Sequence, residues 1–289
     1  MLGVWRKPSF AMKSIQACRA SYARLVVGAA GSSNARLLAA FATVERERYL
    51  GKGPWSVFGG SAYVRTVSDD PRLLYQDVLV GIAPERGINN GQPSLHARCL
   101  AAVGPMPGDQ VLHIGAGTGY YTAILAQMVG ASGTVIGYEI EADLAERARA
   151  ALAPMPNVRI VCASAAEGAL PASDVIYVSA GATHPLPVWL DAMKIGGRLV
   201  FPMTTDSGHG LMLAVSRQSA TGYAASYLSF VAFIPCIGAR SDAASIALSE
   251  AMATRAPHTI RSLRRSGPPD DSAWCIGDGW WLSSAVPPS

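Results

Sequence analysis

The stretch VLHIGAGTGYYT, residues 111–122, decides the fold prediction. Its apolar beginning, residues 111–114, predicts a buried strand, and apolar residues with helical spacing follow from Ala123 to Val129. Three alternate glycines separate the two elements: Gly115, Gly117 and Gly119. Strand, glycine turn and helix in this order open a nucleotide site in α/β proteins, because the missing Cβ atoms let backbone pass close to a ligand. We expect that site in the crevice beyond the carboxyl end of the strand.

The spacing of the glycines indicates the kind of ligand. It is G-x-G-x-G, whereas dinucleotide enzymes carry G-x-G-x-x-G, and this difference disfavours a pyrophosphate. A second predicted strand, residues 134–138, is followed by Glu139, twenty positions after Gly119. An acid at that place can accept hydrogen bonds from ribose hydroxyls. The pattern therefore predicts a nucleoside ligand without phosphates, with S-adenosylmethionine as the expected cofactor, and the alternative is a tight structural turn beside a solvated Glu139.

Composition limits the class of protein. The chain has 289 residues, 50% of them hydrophobic and 15% charged, which suffices for one large α/β core. The net charge of +4 is modest and basic runs are short, so a nucleic-acid partner is not expected. No apolar run has the length of a membrane span. Five cysteines without a C-x-x-C pair indicate reduced thiols in a cytoplasmic protein, and no zinc or other metal site is predicted.

The chain divides into three predicted segments. Residues 1–106 form an N-terminal helical and substrate-side segment, residues 107–240 an S-adenosylmethionine-binding α/β core, and residues 241–289 a C-terminal extension. The basic composition before Glu45 fits either an organellar targeting segment or, preferably, an amphipathic helix. Three tryptophans in the extension could line a substrate cleft, but we favour a role in pinning the extension onto the body. These are Trp274, Trp280 and Trp281.

Strands that alternate with helices predict a doubly wound, mostly parallel sheet of seven strands with helices on both faces. The predicted core strands are residues 111–114, 134–138, 158–162, 174–178, 198–202, 211–215 and 227–234. The last two are expected to form an antiparallel pair at a sheet edge. Upstream, helices are predicted over 14–30, 35–41 and from Pro93 onward, a long irregular connection over 51–72, and an extended piece over 74–80.

Over roughly residues 14–240 the arrangement resembles the protein-L-isoaspartate O-methyltransferase family. The matching motifs occur in the family's order: Val44…Arg46-Glu47…Tyr49, Tyr75-x-Asp77, Gln92-Pro93…His96-Ala97, the glycine turn, Asp174-Val175-Ile176…Ala180-Gly181-Ala182, Lys194-Ile195-Gly196-Gly197-Arg198-Leu199…Pro202 and Val231-x-Phe233-x-Pro235-x-x-Gly238. The resemblance implies an S-adenosylmethionine-dependent methyltransferase fold with an antiparallel seventh strand. It also implies a damaged aspartyl residue of a protein or peptide as methyl acceptor. The cofactor-binding residues that we assign are His113, Gly115, Ala116, Gly117, Thr118, Gly119, Glu139, Ser164, Ala165 and Ser179.

The chain departs from the family's pattern at four positions. The family's Gly-Gln-Thr-Ile-Ser segment lies by the substrate carboxylate, and here Asn89 replaces its Thr and Gly91 its Ser. His113 stands where the first core strand usually carries an acid, and Ser164 replaces an Asp expected near the adenine. These departures alter the expected cofactor site and leave the acceptor open.

Four residues are candidates for the catalytic site. A carboxylate acceptor is already anionic and needs hydrogen-bond donors rather than a base, and the amides of Asn89, Asn90 and Gln92 suit that task. The alternative is a loop without substrate contact, because Asn-Gly is also a common turn sequence. For a hydroxyl, amine or thiol acceptor, whose proton a base can remove, His96 is the candidate base, and the alternative is an ordinary helix histidine.

Two functional hypotheses follow. The first is an S-adenosylmethionine-dependent O-methyltransferase that acts on a carboxylate of a protein, a peptide or a small acid. The second is a non-catalytic module that binds the cofactor or a partner, suggested by the substitutions at residues 89–91, 113 and 164. The sequence gives no prediction of the oligomeric state.

Overall fold

The computed structural model describes residues 14–287. Its helices are α1 (Ile15–Ala29), α2 (Ala35–Thr43), α3 (Glu47–Leu50), α4 (Pro93–Val103), α5 (Tyr120–Val129), α6 (Ala142–Leu152), α7 (Pro187–Ala192) and α8 (Asp242–Thr254), with 3₁₀ helices at Pro71–Leu74, Pro84–Arg86 and Pro257–Thr259. Its strands are β1 (Ser56–Phe58), β2 (Tyr63–Arg65), β3 (Gly81–Ala83), β4 (Ile88–Asn89), β5 (Gln110–Ile114), β6 (Thr134–Glu139), β7 (Val158–Cys162), β8 (Ser173–Val178), β9 (Met193–Thr204), β10 (His209–Arg217), β11 (Tyr223–Ala232), β12 (Ser262–Arg264), β13 (Ala273–Gly277) and β14 (Trp280–Ser283).

Ten of these strands form one sheet in the order β13-β14-β12-β11-β10-β9-β8-β5-β6-β7. The five strands from β9 to β7 in that order are parallel, and every pairing from β9 towards β13 is antiparallel. Two small antiparallel hairpins, β1–β2 and β3–β4, lie outside this sheet. The predicted doubly wound α/β architecture with its parallel core is confirmed.

Alternation along the core strands divides the apolar residues between two faces. On β5, Val111 belongs to a cluster that includes buried residues of α1, α2, α4, α5 and α6. Its neighbour Leu112 belongs to a second cluster, which contains Trp189 of α7 and Leu248 of α8. Both faces of the sheet are therefore covered by helices, as the near-continuous apolar core strands require.

Local signals account for the helix starts. The side chain of Asn34 accepts hydrogen bonds from the backbone N–H groups of Arg36 and Leu37 and so caps α2. Pro93 occupies the first turn of α4, where its missing N–H costs nothing. Helix α1 confirms the helix expected over residues 14–30. The alternative, an organellar targeting segment at the N-terminus, concerns a stretch whose first thirteen residues lie outside the described chain. None of the helices described between residues 14 and 287 is long and apolar enough to cross a membrane.

The order of the last core strands corrects the sequence prediction. The strand that is antiparallel to the parallel set is the sixth, β10, and not the seventh. A short turn over residues 205–208 joins β9 to β10, so these neighbours pair as a hairpin. Strand β11 pairs with the other side of β10 and therefore runs in the direction of β9. The pair is not at the sheet edge, because β12 pairs with β11 and β14 with β12.

The C-terminal extension contributes three additional strands to the sheet, β12, β13 and β14. Trp274 is buried, and its indole N–H donates to the carbonyl oxygen of Ala256 at 3.1 Å. Trp280 and Trp281 are also buried, and none of the three tryptophans lines the clefts described below. The preferred role of the tryptophans, pinning the extension onto the body, is confirmed. The boundary at residue 240 stays a prediction, although the strands after it hydrogen-bond into the core sheet.

Two upstream predictions were incomplete. The segment over residues 51–72, expected to be irregular, contains the β1–β2 hairpin, and Val57 forms a bridge to Val80. Residues 74–80 were expected to be extended, but Leu74 ends a 3₁₀ helix that starts at Pro71 and is capped by the Asp70 side chain, residues 75–77 bend, and Val80 alone forms a bridge. Proline at the first position fixes the helical φ angle, so the local chemistry favours this turn over a strand.

A buried arginine holds the chain after that turn. Arg46 is fully buried, and Nη1 donates to the carbonyl oxygens of Leu74 at 2.5 Å and Gln76 at 2.9 Å. Its Nη2 donates to the carbonyl oxygen of Val78 at 2.7 Å. The guanidinium carbon also lies 5.5 Å from the centre of the Tyr22 ring. Arg46 thereby fixes the irregular segment 74–78, which leads into the candidate site.

Candidate active site

The glycine turn between β5 and α5 has a backbone that only glycine adopts readily. Gly115, Gly117 and Gly119 have φ angles of 76°, 56° and 95°, all in the left-handed region. The N–H groups of Gly115 and Ala116 donate to the carbonyl oxygen of Tyr138, so β6 supports the turn. At Gly119 a Cβ atom would lie 2.6 Å from a methyl group of Leu152. The turn is thus held in one shape by the neighbouring strand and helix.

Glu139 ends β6 beside this turn. One carboxylate oxygen accepts from the Gly117 N–H at 2.6 Å, and the other accepts from the Glu141 N–H at 2.9 Å. Burial raises the pKa of the Glu139 carboxyl, and the hydrogen bonds from Glu141 and Gly117 oppose this shift. The carboxylate is fixed in orientation and keeps lone pairs free to accept further hydrogen bonds.

A cleft of about 160 Å³ lies along this edge of the sheet. Six of the predicted cofactor residues line it: Gly115, Gly117, Glu139, Ser164, Ala165 and Ser179. Among the described residues, no lysine or arginine lines the cleft, whereas two carboxylates, those of Glu139 and Glu141, do. This charge pattern suits a nucleoside or sulfonium ligand and disfavours a phosphate.

The other four predicted cofactor residues lie elsewhere. Ala116 and Thr118 line the adjoining larger cleft, and His113 and Gly119 line neither. The sequence prediction missed Ile140, Cys236 and Ile237, which line the smaller cleft. Ile140 could have been found, because it directly follows Glu139, the acid that ends the second predicted strand.

His113 lies in the sheet behind the clefts. Its ring nitrogens are 2.8 Å from the Thr122 hydroxyl and 3.0 Å from the Ser179 hydroxyl. Burial lowers the pKa of His113 to about 3, so the imidazole is neutral at physiological pH. Because Ser179 lines both clefts, His113 orients a lining residue through this contact, although it lines neither cleft itself.

The larger cleft has a volume of about 760 Å³. It lies between the start of α4, the end of β11, the β1–β2 hairpin and the glycine turn. It shares part of its wall with the smaller cleft, namely Asn89, Gly115, Gly117, Ser179 and Ile234. A ligand in one cleft can therefore face a ligand in the other across the glycine turn.

The predicted catalytic segment forms one side of the larger cleft, which all four candidates line. Asn89 accepts a hydrogen bond from the Gly91 N–H at 2.9 Å, and the Asn90 side-chain oxygen accepts from the Val80 N–H at 2.9 Å. The Gln92 amide donates to Asp77 at 3.2 Å. The other oxygen of Asp77 accepts from the N–H of Ser94 at 2.8 Å, at the start of α4.

His96 and Gly91 are in direct contact, which accounts for one departure from the family pattern. A Cβ atom at Gly91, where φ is 71°, would lie 2.0 Å from Nε2 of His96. The imidazole therefore fills the space of a side chain at residue 91. His96 stacks on Tyr121 with ring centres 3.7 Å apart, and its Nδ1 lies 2.6 Å from the Tyr177 hydroxyl. Burial lowers the pKa of His96 to about 3.

Three buried polar atoms on the wall of the larger cleft have no hydrogen-bond partner within residues 14–287. They are Nδ2 of Asn90, the hydroxyl of Tyr121 and the hydroxyl of Ser229. A buried donor without a partner costs about 1–3 kcal/mol, so such groups are usually satisfied. Their position on one cleft points to a polar ligand. Tyr121 and Ser229 were not among the predicted site residues, because Tyr121 was assigned to the helix after the glycine turn and Ser229 belongs to no motif.

Comparisons of the sequence with known proteins identify the family. The model of the protein-L-isoaspartate(D-aspartate) O-methyltransferase family matches residues 27–241. The protein-L-isoaspartate O-methyltransferase of Ignicoccus hospitalis is 32% identical over 169 residues, covering 57% of this chain and 79% of the relative. That of Rhodopseudomonas palustris is 33% identical over 218 residues, covering 74% and 90%.

A comparison with solved structures concerns the fold. A Plasmodium falciparum structure, described as a protein-L-isoaspartate O-methyltransferase in complex with S-adenosyl-L-homocysteine, has a TM-score of 0.60 at 18% identity and covers 76% of this chain and 98% of that one. The glycine turn, the acid at the end of β6 and the cation-free cleft fit S-adenosylmethionine. The comparisons favour an enzyme over the non-catalytic alternative. The chain therefore belongs to the protein-L-isoaspartate(D-aspartate) O-methyltransferase family and is an S-adenosylmethionine-dependent methyltransferase.

Proposed function

We propose that the protein methylates the carboxylate of an isoaspartyl residue in a protein or peptide, in the larger cleft. The observation that carries this proposal is the unpartnered amide nitrogen of Asn90 on the wall of that cleft, next to the glycine turn. An amide nitrogen can only donate, and a carboxylate can only accept, so the two are complementary. A cytoplasmic location, expected from the cysteine content, belongs to the same proposal.

The residues of the chain have distinct tasks in this reaction. The residues of the smaller cleft hold S-adenosylmethionine, with Glu139 on the ribose hydroxyls, and the cofactor when bound supplies the methyl group. Asn90 is held by its bond from the Val80 N–H, so its Nδ2 is fixed in direction. It donates to one oxygen of the acceptor and leaves the other oxygen free to receive the methyl group. The protein thus contributes orientation, and no proton has to be removed from the acceptor.

His96 acts in this proposal as a neutral donor and not as a base. The pKa of Tyr177 is raised well above its usual value by burial, so its hydroxyl stays protonated and donates to Nδ1 of His96. The proton of the imidazole then resides on Nε2, which is directed towards Gly91. A pKa of about 3 makes His96 a poor proton acceptor at neutral pH. This assignment again favours a carboxylate acceptor over an alcohol or amine.

The first experiment measures methyl transfer from labelled S-adenosylmethionine to an isoaspartyl peptide and to the same peptide with ordinary aspartate. The proposal expects base-labile label on the isoaspartyl peptide alone. Separate calorimetry with S-adenosylhomocysteine shows whether the cofactor binds. Cofactor binding without transfer to the isoaspartyl peptide would refute the proposed acceptor.

The variant Asn90→Asp tests the role of the amide. It keeps the oxygen that accepts from Val80 but removes the donor and adds a negative charge beside the acceptor. We expect kcat/KM for the isoaspartyl peptide to fall by about 10- to 100-fold, as for a lost hydrogen bond to a charged group, with cofactor affinity unchanged. Gln218→Glu, at an exposed position on the turn after β10, is the matched control for the same chemical change. Equal activities of the two variants would remove Asn90 from the mechanism.

A further inference from the structure

One charged side chain on the wall of the larger cleft has no role in the mechanism above. Within residues 14–287, Arg98 is the only lining residue that is charged at neutral pH. It lies on α4, is exposed, and has no hydrogen bond or ion pair with a described residue. Arginines elsewhere around the site are engaged, such as Arg46 with three carbonyl oxygens and Arg86 with Glu141 and Asp143. Arg98 is thus a free cation in a cleft proposed to receive an anionic substrate.

The reacting carboxylate is a poor partner for this cation. As its oxygen bonds to the methyl group, the carboxylate loses its negative charge and becomes a neutral ester. A guanidinium bound to it would stabilise the ground state more than the transition state, and the reaction would be slowed. A second anionic group that keeps its charge throughout the reaction would gain binding energy without that cost. The position of Arg98 therefore favours an additional acidic group in the substrate.

The helix geometry gives the spacing of that group. Arg98 is five residues after Pro93, or about 7.5 Å along the helix axis, and Asn90 lies three residues before Pro93 in the segment that leads into α4. In an extended peptide, residues two apart point to the same side and are separated by about 6.5–7 Å. Because Asn90 and Arg98 line the same cleft, we expect an acidic side chain two positions from the methylated residue to face Arg98 when the acceptor carboxylate faces Asn90.

We propose that Arg98 is a specificity-determining residue that binds the carboxylate of an aspartate or glutamate two positions from the isoaspartyl residue of a polypeptide substrate. The proposal rests on the proposed function, because it requires an isoaspartyl acceptor in the same cleft. Phe230 and Phe233 line the same cleft and add apolar surface to its wall. The substrate class is accordingly an acidic peptide segment rather than a small acid.

The test uses isoaspartyl peptides that carry glutamate, glutamine or lysine two positions before or after the acceptor. At low ionic strength we expect glutamate to lower KM about three- to tenfold relative to glutamine at one of these positions, with kcat unchanged, because the charge pair persists through the reaction. Arg98→Gln should abolish the difference, and Arg98→Glu should shift the preference to lysine. Arg159→Gln, at an exposed arginine of β7, should leave the preference intact.

The outcomes separate this inference from the proposed function. Methylation of the isoaspartyl peptides with equal KM for glutamate and glutamine would overturn the role of Arg98 and leave the acceptor assignment in place. A preference for glutamate that survives in Arg98→Gln would also overturn it. Failure to methylate any of the peptides, with the cofactor bound, would refute the proposed function itself.

Discussion

Replacing Arg46 with methionine should destabilise the fold and disturb the acceptor side of the site. The side chain is fully buried and donates to three backbone carbonyl oxygens in residues 74–78. Methionine fills a similar volume but donates nothing, so these carbonyl oxygens lose their partner. The segment also carries Asp77, whose carboxylate accepts from the first turn of α4 and from Gln92.

The size of the effect follows from the burial of the three acceptors. The carbonyl of Leu74 is in a buried hydrogen bond, whereas those of Gln76 and Val78 are in partly buried ones that water can replace. One fully unsatisfied acceptor costs about 1–3 kcal/mol, and the two others add less, so we expect a loss of about 3 kcal/mol. Urea unfolding at neutral pH, followed by circular dichroism, measures this loss directly.

The matched control is Arg48→Met, at an exposed arginine two residues along the chain. It should change the free energy of unfolding by less than about 0.5 kcal/mol. For Arg46→Met we also expect a lower kcat/KM for the acceptor at unchanged affinity for S-adenosylhomocysteine. A destabilisation below about 1 kcal/mol would show that water satisfies the carbonyl oxygens and that Arg46 does not hold the segment.

Three further predictions concern other parts of the molecule. Acidification from about pH 7.5 to about pH 5.5 should lower the free energy of unfolding by on the order of 1 kcal/mol for each of His96 and His113. The reason is that both imidazoles become protonated in the unfolded chain over this range, whereas in the folded protein, where their pKa is about 3, they stay neutral. A free energy of unfolding that does not change with pH in urea titrations would contradict this prediction. Gly119→Ala forces a Cβ atom against Leu152 at a φ of 95° and should weaken S-adenosylhomocysteine binding about tenfold in calorimetry. Trp274→Ala should cost about 3–5 kcal/mol in unfolding experiments while leaving cofactor affinity unchanged.

The sequence predicted the parts of the fold that local chemistry determines. Gly115, Gly117 and Gly119 mark a turn that no other residue type adopts easily, and Glu139 follows from its distance to that turn. The apolar runs of β5 and β8 are buried almost throughout, so a sequence can identify them without knowledge of their neighbours. The helix start at Pro93 was predicted correctly because proline favours the first turn of a helix.

The features that were missed depend on pairings distant in sequence. The position of β10 between β9 and β11 is decided by which strands meet, and apolar periodicity carries no information about that choice. Ser229 became a candidate site residue only because β11 ends opposite α4. The neutral state of His96 likewise depends on burial beside Tyr121 and Tyr177, which lie 25 and 81 positions away.

The late position of β12, β13 and β14 in the chain has a consequence for synthesis. Strand β11 pairs with β12 through Tyr223 and Ala224, and this pairing forms only after residues 262–263 have left the ribosome. Until then the edge of β11 and the apolar surface that later covers Trp274 are open to solvent and to other nascent chains. The parallel strands can assemble earlier, since all of them precede residue 205. The antiparallel border can therefore be added only after the strands of the parallel sheet have been synthesised, and we expect a chain truncated before residue 262 to be prone to aggregation.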